Sequence, residues 1–315
     1  MNFFAQGRTA LYYGLLKLKI KKENKILIPN YICKSLLTSI IKLNINYSFY
    51  NIDDNFTFNL SEIKKKALAN DYLLIVHYFG QPQNVNHILN FCKKNSMKLI
   101  EDNAHGYSGK FRGKFLGTFG EIGFSSPRKI LNTDSGGVLF FKKKIISPKL
   151  KKYYFSKFTT FKNILKEVPS YYYFKNKFYN QSNFYFKRIE KLENSLINYS
   201  ADINSNNLIK ETNWDLVSKI RKKRWIKIVE ILKKKSCVPV WASPLVDTCP
   251  WLVPFYTKNR LYRDKIISWG INRGINIITW PNLPKFNSHK DSQNCKLRWE
   301  RLLCIELDSS IDNLS

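Results

Sequence analysis

Acidic residues are scarce in this sequence, and long apolar runs are absent. Asp and Glu number 23 against 53 Lys and Arg, which gives the 315-residue chain a formal net charge of +30. No run of about 18 apolar residues occurs, so the sequence predicts no integral membrane segment. The chain also lacks the basic start, apolar run and small-residue cleavage site of a secretory signal peptide. These absences predict a soluble, cytoplasmic globular protein.

Cysteine and histidine are also few, and they form no metal-binding pattern. Among six cysteines and four histidines there is no Cys-x-x-Cys pair and no histidine cluster with the spacing of a zinc site. We therefore predict neither a structural metal nor a disulfide framework. The cysteines are expected to be reduced thiols, several of them in cores.

The excess of basic residues has two competing explanations. A pI of about 9.8 is typical of proteins that bind nucleic acid, a membrane surface or an anionic ligand. Genome composition is the other explanation, because Lys, Asn, Ile, Phe and Tyr, whose codons are rich in A and T, are all abundant. The lysines are scattered between predicted elements instead of forming one basic arm, which argues against nucleic acid.

The first half of the chain alternates apolar strands with amphipathic helices. Strands are predicted in KILIP, INYSFYNID, YLLIVHYFG, MKLIED and GGVLFFKK. This alternation implies right-handed crossovers and an α/β fold whose mostly parallel mixed sheet is sandwiched by helices. Residues 1–194 are assigned to this large domain. Residues 195–315 are assigned to a smaller C-terminal α+β domain, which includes the amphipathic helix NWDLVSKIRKKRWIKIVEILKKK.

A segment dense in aromatic and basic residues, 147–194, interrupts the pattern. Its composition favours helices whose rings pack on the first domain or on a second subunit. A face that binds a membrane surface or nucleic acid is the alternative.

Residues that carry chemistry follow the predicted strands. In parallel α/β sheets, ligands lie beyond the C-terminal ends of the strands, which places residues 77–80 and 102–105 near one edge. His77 lies within an apolar strand and is interpreted first as a core histidine. Gly7 leads into a helix whose N-terminal amides and dipole favour a phosphate group.

Asp102 and Lys129 together indicate pyridoxal phosphate (PLP) chemistry. Asp102 ends an apolar strand, and Lys129 follows a glycine-punctuated stretch just before a Gly-Gly turn. PLP needs a lysine to hold its aldehyde as a Schiff base and an acidic partner for its pyridinium nitrogen. A free lysine, with a pKa of about 10.4, is mostly protonated, so the site must lower this pKa before Lys129 acts as a base.

The order of these motifs resembles the DegT/DnrJ/StrS-type sugar aminotransferases, PLP enzymes of the aspartate-aminotransferase fold (fold type I). GRTAL is similar to the family's phosphate turn, and MKLIEDNAHG is similar to its strand ending in Glu-Asp-x-Ala-(His/Gln). GKFLGTFGEIGFSSPRKILNTDSGG is similar to its glycine run, serine, catalytic lysine and Gly-Gly turn. The resemblance runs in order over most of the chain.

The resemblance implies a role for each of three catalytic residues. Lys129 would hold the cofactor and then move a proton between substrate and cofactor carbons. Asp102 would keep the ring nitrogen protonated, and His105 would lie against the ring or its phenolic oxygen. The cofactor-binding set that the resemblance implies comprises Arg8, Thr9, Tyr31, Cys33, Asp102, His105, Ser125, Ser126 and Lys129.

Within this set, the resemblance implies that Arg8 and Thr9 hold the cofactor phosphate through backbone N–H groups and the Thr hydroxyl. Either Ser125 or Ser126 adds a further donor. Cys33 stands where many members have an aromatic ring that stacks on the cofactor, and nearby Tyr31 is the suggested substitute.

The function that the resemblance implies is transfer of an amino group, from L-glutamate, onto a keto-sugar nucleotide in amino-sugar and surface polysaccharide (O-antigen) biosynthesis. A homodimer with a shared active site is implied as well. Lys129 favours amino transfer over dehydration, because the family's sugar dehydratases have histidine there. One alternative is a family member that has lost catalysis and acts as a binding or scaffold protein, suggested by Cys33 and by the six residues before Gly7. The other is a basic protein that binds nucleic acid or membrane.

Overall fold

The structure is a computed structural model that describes residues 2–142, 150–152, 199–280, 283–284 and 289–314. Apart from residues 150–152, the aromatic and basic segment at 147–194 lies outside the described residues. The described parts form one large and one smaller sheet, each with its own helices.

A seven-stranded sheet forms the large domain, in the spatial order β1-β9-β8-β5-β4-β2-β3. A short hairpin, β6-β7, lies between β5 and β8 along the chain. The strand bounds are β1 Asn2–Phe4, β2 Lys25–Pro29, β3 Asn46–Tyr50, β4 Tyr72–Val76, β5 Lys98–Asn103, β6 Lys110–Phe111, β7 Lys114–Phe115, β8 Ile122–Ser125 and β9 Gly137–Phe141.

The pairing of these strands confirms the predicted mostly parallel mixed sheet. Strands β3, β2, β4, β5 and β8 run parallel to one another, whereas β9 and β1 are antiparallel to their neighbours. All five residues of β4 are buried, as expected for a parallel strand with both faces covered. The edge strand β1 was not anticipated from the sequence.

Within the described residues, five helices accompany this sheet. Four of them agree with the predicted alternation of strands and amphipathic helices, whereas the short helix Arg128–Leu131 was not predicted. Their bounds are α1 Gly7–Leu18, α2 Lys34–Lys42, α3 Leu60–Lys66, α4 Val85–Lys94 and α5 Arg128–Leu131. Asparagine side chains cap two of them, since Asn59 accepts the Ser61 N–H at 2.8 Å and Asn84 accepts the His87 N–H at 3.3 Å.

The smaller domain is built on an antiparallel sheet in the order β10-β11-β13-β12. Its strands are β10 Val238–Pro239, β11 Leu252–Tyr256, β12 Ile277–Ile278 and β13 Leu302–Glu306, and the helices of this half are α6 Ile203–Glu211, α7 Trp214–Lys233, α8 Arg260–Ile271 and α9 His289–Arg301. The predicted long amphipathic helix is α7, and its Trp225 side chain is fully buried in the small domain's core. Within the described residues, no helix is both long and apolar enough to cross a membrane.

The two sheets are joined by specific polar contacts as well as by packing. The Tyr31 hydroxyl donates to the Trp280 carbonyl oxygen at 2.8 Å. Arg298 donates to Asp54 Oδ1 at 3.1 Å and to the Ile52 carbonyl oxygen at 2.9 Å. Helix α6, which the sequence reading did not identify, packs into the core of the large domain. The boundary between residues 194 and 195 stays a prediction.

Candidate active site

Two adjacent parallel strands deliver Asp102 and Lys129 to the same edge of the large sheet. Asp102 is the penultimate residue of β5 and lies in register with Phe124 on β8. Strand β8 ends at Ser125, and Lys129 follows in α5. The two side chains interact electrostatically at the C-terminal edge, where parallel α/β sheets bind ligands.

Burial sets the protonation states of this pair. It lowers the pKa of Lys129 to about 8, although the Asp102 charge opposes the shift, and the cations Arg128 and Arg8 lower it further. Burial raises the pKa of Asp102 to about 6. Two effects oppose this shift and lower the pKa: the Ala104 N–H, which donates to Oδ1 at 2.8 Å, and the positive charge of Lys129. At pH 7 the carboxylate is therefore mostly ionised, while about a tenth of Lys129 is the neutral amine. The site thus lowers the lysine pKa, as the sequence argument requires.

Two glycines bring the N-terminus of α1 against the end of β8. A Cβ on Gly7 would lie 3.4 Å from the Ser125 carbonyl oxygen and 3.4 Å from the Ser126 Cβ, so the turn packs closely on both residues. A Cβ on Gly137 would lie 2.1 Å from the Gln6 carbonyl oxygen, so no other residue fits there without moving the backbone. The Gln6 N-cap makes no side-chain cap bond. The amide end and dipole of a 12-residue helix therefore lie beside Ser126, an arrangement suited to a phosphate.

The structure distinguishes the two candidate serines. The Ser125 side chain is fully buried, and its hydroxyl donates to the Asn103 carbonyl oxygen at 2.6 Å, joining β8 to the end of β5. The Ser126 Cβ lies against the same Gly7 turn that the Ser125 carbonyl oxygen contacts. Thr9 is buried in the first turn of α1, and the charge of the half-buried Arg8 acts on Lys129. Because the Ser125 hydroxyl already donates to Asn103, Ser126 is the better candidate for a phosphate donor.

His105 is surrounded by aromatic side chains from both domains. Its ring centroid is 5.8 Å from that of Phe79 and 4.9 Å from those of Trp251 and Trp280. The Phe79 N–H donates to His105 Nδ1 at 3.2 Å, which places the proton of the neutral ring on Nε2. Burial, and then the Lys129 charge, lower the pKa of His105 well below its usual value. His105 is therefore a neutral ring with one N–H available to donate.

Glu101, which the sequence reading did not single out, fixes the loop before β8. Its Oε1 accepts the Phe119 and Gly120 N–H groups at 2.6 and 2.7 Å, and its Oε2 accepts the Gly117 N–H at 3.0 Å. His77 Nε2 lies 3.0 Å from Oε2, and a backbone N–H donates to His77 Nδ1 at 3.2 Å, so Nε2 is the donor. His77 is thus a satisfied core histidine, as expected. The alternation of side chains along β5 could have indicated that Glu101 faces away from Asp102.

Trp251 is a second residue that sequence reasoning did not find. It directly precedes β11 of the small domain, and the Lys129 Nζ lies 4.3 Å from its ring centroid. Lys129 and Trp251 are far apart along the chain, and no local motif marks the tryptophan, so only the tertiary structure brings them together.

Tyr31 and Cys33 have different surroundings. Tyr31 is fully buried, and its ring contacts Phe56 and Trp280, at centroid distances of 5.7 and 5.8 Å. Its ring and hydroxyl therefore serve the contact between the domains. Cys33 is half-buried at the N-cap of α2 and lies close enough to Lys129 to interact with it electrostatically.

Comparison with known proteins agrees with this geometry. The model of the DegT/DnrJ/EryC1/StrS aminotransferase family matches residues 4–173, more than half of the sequence. The chain belongs to this family. GDP-perosamine synthase of Escherichia coli O157:H7 is 30% identical over 145 residues, which are 43% of this chain and 38% of that protein. The match thus spans about two fifths of the length of such curated relatives.

Solved structures of the family share the fold over nearly the whole chain. A DegT DnrJ EryC1 StrS aminotransferase from Brucella abortus superposes with a TM-score of 0.63 over 99% of this chain and 84% of that one, at 15% identity. The E. coli GDP-4-keto-6-deoxy-D-mannose-3-dehydratase with bound hydrated PLP gives 0.62 over 98% and 84%, at 14% identity. The family is PLP-dependent, but a fold shared with a dehydratase does not by itself distinguish amino transfer from dehydration.

Proposed function

We propose that this protein is a PLP-dependent aminotransferase that moves an amino group from L-glutamate onto a keto-sugar carried on a nucleoside diphosphate. The observation that carries the proposal is the Lys129-Asp102 pair, in which burial lowers the pKa of the lysine to about 8 beside a carboxylate that is still mostly ionised at pH 7. Amino transfer needs this pair, whereas a nucleic-acid-binding or scaffold protein has no use for a lysine at this location.

The residues at the site suit PLP in their charge and in their chemistry. The N-terminus of α1, with Arg8, Thr9 and Ser126, would hold the phosphate, and Asp102 would pair with the pyridinium nitrogen. Lys129 would hold the aldehyde carbon. When bound, PLP supplies a carrier for the amino group and a ring that delocalises the electron pair left by a departing proton.

Lys129 would be the proton carrier of the reaction. Its neutral amino group would take the proton from the substrate carbon that bears the amine. The lowered pKa suits this role, because a base works best when its pKa is near the working pH. The Nε2–H of neutral His105 would orient the phenolic oxygen of the cofactor. Asp102, mostly ionised at pH 7, would keep the ring nitrogen protonated.

The substrate class follows from the relatives and from the charge of the site. GDP-perosamine synthase and a UDP-N-acetyl-3-dehydro-alpha-D-glucosamine 3-aminotransferase are both similar to this chain and are named for nucleotide sugars. Arg8 and Arg128 lie close enough to act on Lys129, so the site is cationic and suits an anionic substrate. A role in surface polysaccharide biosynthesis, a homodimer and a cytoplasmic location stay predictions that accompany this proposal.

The test is the visible absorption spectrum of the full chain with PLP. We expect wild type to develop a lysine-dependent absorption band that L-glutamate converts to the band of the amine form, and Lys129→Ala to develop neither. Lys114→Ala is the matched control, because Lys114 is exposed on the β6-β7 hairpin. A keto-sugar nucleotide added after glutamate should restore the first band.

If wild type and Lys129→Ala give the same spectrum at saturating PLP, the aminotransferase proposal fails and the scaffold alternative replaces it. If the band forms but glutamate leaves it unchanged, cofactor binding stands and the choice of amino donor is wrong.

A further inference from the structure

The backbone around Trp251 is held rigidly against the large domain. Its N–H donates to the His105 carbonyl oxygen at 3.0 Å. Arg221 in α7 donates from Nε to the Pro250 carbonyl oxygen and from Nη2 to the Trp251 carbonyl oxygen, both at 2.6 Å. Because Arg221 is itself buried, these bonds fix the position of the tryptophan without its side chain taking part.

The indole ring of Trp251 lies in the candidate active site. One contact is with the Lys129 ammonium, 4.3 Å from the ring centroid, and another is with the His105 ring, 4.9 Å away between centroids. The side chain is 9% exposed, and its Nε1–H is buried with no hydrogen-bond acceptor among the residues that the structure describes. An indole N–H can only donate, so a buried one without an acceptor is costly.

The surroundings indicate what would accept this hydrogen bond. Lys129 is itself a donor when protonated, and Arg8 and Arg128 add positive charge nearby. A buried indole N–H in a positively charged site of this kind favours an oxygen atom that carries negative charge as its acceptor. Trp225 provides the contrast: its Nε1–H is also buried with no acceptor in the described part of the chain, but its side chain lies in the apolar core of the small domain.

We propose that the Trp251 indole N–H donates a hydrogen bond to an anionic oxygen bound beside Lys129, so that the small domain contributes a ligand-binding residue to the site. The inference rests on the proposed function. Two groups supply such an oxygen, the phenolic oxygen of PLP and a carboxylate of the amino donor, and the experiment separates them.

The experiment follows the indole N–H signals of the full chain, labelled with ¹⁵N-tryptophan, in ¹H–¹⁵N spectra. Seven tryptophans give seven signals. Trp251→Phe and Trp225→Phe assign the two that matter, and Trp251→Tyr serves for assignment if the Phe variant loses its fold. PLP is added first and L-glutamate second, with the visible absorption recorded at each step.

We expect the Trp251 proton signal to move downfield while the Trp225 signal stays in place. A shift on adding PLP assigns the acceptor to the cofactor, and a shift only after glutamate assigns it to the carboxylate. Trp251→Phe should weaken binding of that same ligand by about tenfold, and Trp225→Phe by less than about twofold.

If absorption shows bound PLP, but both additions leave the Trp251 signal and the affinities unchanged, the inference is overturned and the proposed function stands. If absorption shows no bound PLP, both fail.

Discussion

At the level of single residues, the site buries two groups of opposite charge, Asp102 and Lys129, although burial disfavours the charged form of each. The pKa of Asp102 is raised and that of Lys129 is lowered, so both side chains are less charged than they would be in water. Each shift is a difference in interaction energy between the two protonation states, and therefore a contribution to stability that depends on pH.

We expect Asp102→Asn to stabilise the protein without cofactor. Because burial raises the pKa of Asp102 from 3.8 to about 6, the ionised carboxylate destabilises the folded state, and this cost develops as pH rises from about 4 to about 6. Above pH 6 the neutral amide should raise the free energy of unfolding by up to about 3 kcal/mol. Below pH 4 wild type and variant should be equal.

Denaturant unfolding at pH 4 and pH 7 measures this effect, with the exposed Asp215→Asn as the control. An Asp102→Asn variant that is less stable than wild type at pH 7 would show that attraction to Lys129 outweighs the burial cost.

The rate of PLP uptake should report the pKa of Lys129. Only the neutral amine attacks an aldehyde, so with a pKa of about 8 the rate should rise nearly tenfold per pH unit below pH 8 and level off above it. Stopped-flow absorption between pH 6.5 and 9.5 measures this profile. A rate that keeps rising to pH 9.5 would mean that the pKa of the lysine is close to that of a free amine.

The sequence predicted Asp102, Lys129 and His105 as site residues, and the structure brings their side chains within electrostatic range of one another. Asp102 and His105 follow a strand with a clear apolar run, whereas the strand before Lys129, β8, was not predicted. The sequence could not choose between Ser125 and Ser126, because the choice depends on which hydroxyl donates across the sheet to Asn103. It also could not find Trp251, whose place beside Lys129 depends on how two domains pack.

At the level of elements, the phosphate site proposed at the N-terminus of α1 depends on a strand, a turn and a helix whose backbones pack directly on one another. The Gly136 N–H donates to the Ala5 carbonyl oxygen at 3.0 Å, and Gly137 touches the N-cap of α1. The sequence analysis identified the Gly-Gly turn but not the close approach that it allows. Only the fold shows that the approaching group is the start of α1, reached through the unanticipated pairing of β1 with β9.

Gly137→Ala should therefore displace the N-terminus of α1. The added Cβ would lie 2.1 Å from the Gln6 carbonyl oxygen, so the backbone must move. We expect PLP to bind at least about tenfold more weakly and the free energy of unfolding to fall by about 2–4 kcal/mol.

Gly113→Ala is the control for this variant. A Cβ added at Gly113 would meet no described atom within 4 Å, so the loss of stability would come only from the backbone φ of +78°. That substitution should cost about 1 kcal/mol and leave PLP affinity unchanged. PLP titration and thermal unfolding of both variants measure the difference, and equal effects on affinity would contradict this account of the turn.

For the whole molecule, the dominant property is the charge of +30. Ion pairs are exposed in several places, such as Lys142 with Glu121 at 3.1 Å, and exposed pairs add little stability. Composition predicted the charge but not its use, because a charge count does not show where the cations lie relative to the site. The fold class could be predicted in full, since alternating strands and helices have few stable arrangements.

Self-repulsion of this charge should make stability depend on salt. Raising NaCl from about 10 to about 300 mM shortens the screening length several-fold, and we expect the melting temperature to rise by several degrees. Thermal unfolding in NaCl and in Na₂SO₄ at equal ionic strength distinguishes screening from binding of a particular anion. A melting temperature that falls with NaCl would mean that attractive pairs dominate.

The position of Trp251 beside Lys129 determines when, during synthesis of the chain, the site is completed. A ribosome releases Asp102 and Lys129 well before the chain segment that includes Arg221 and Trp251, and domains generally begin to fold as they emerge. A half-synthesised chain therefore presents Lys129 without the tryptophan that covers it. If PLP binds here as proposed, firm retention of the cofactor would begin only after the segment with Trp251 has emerged.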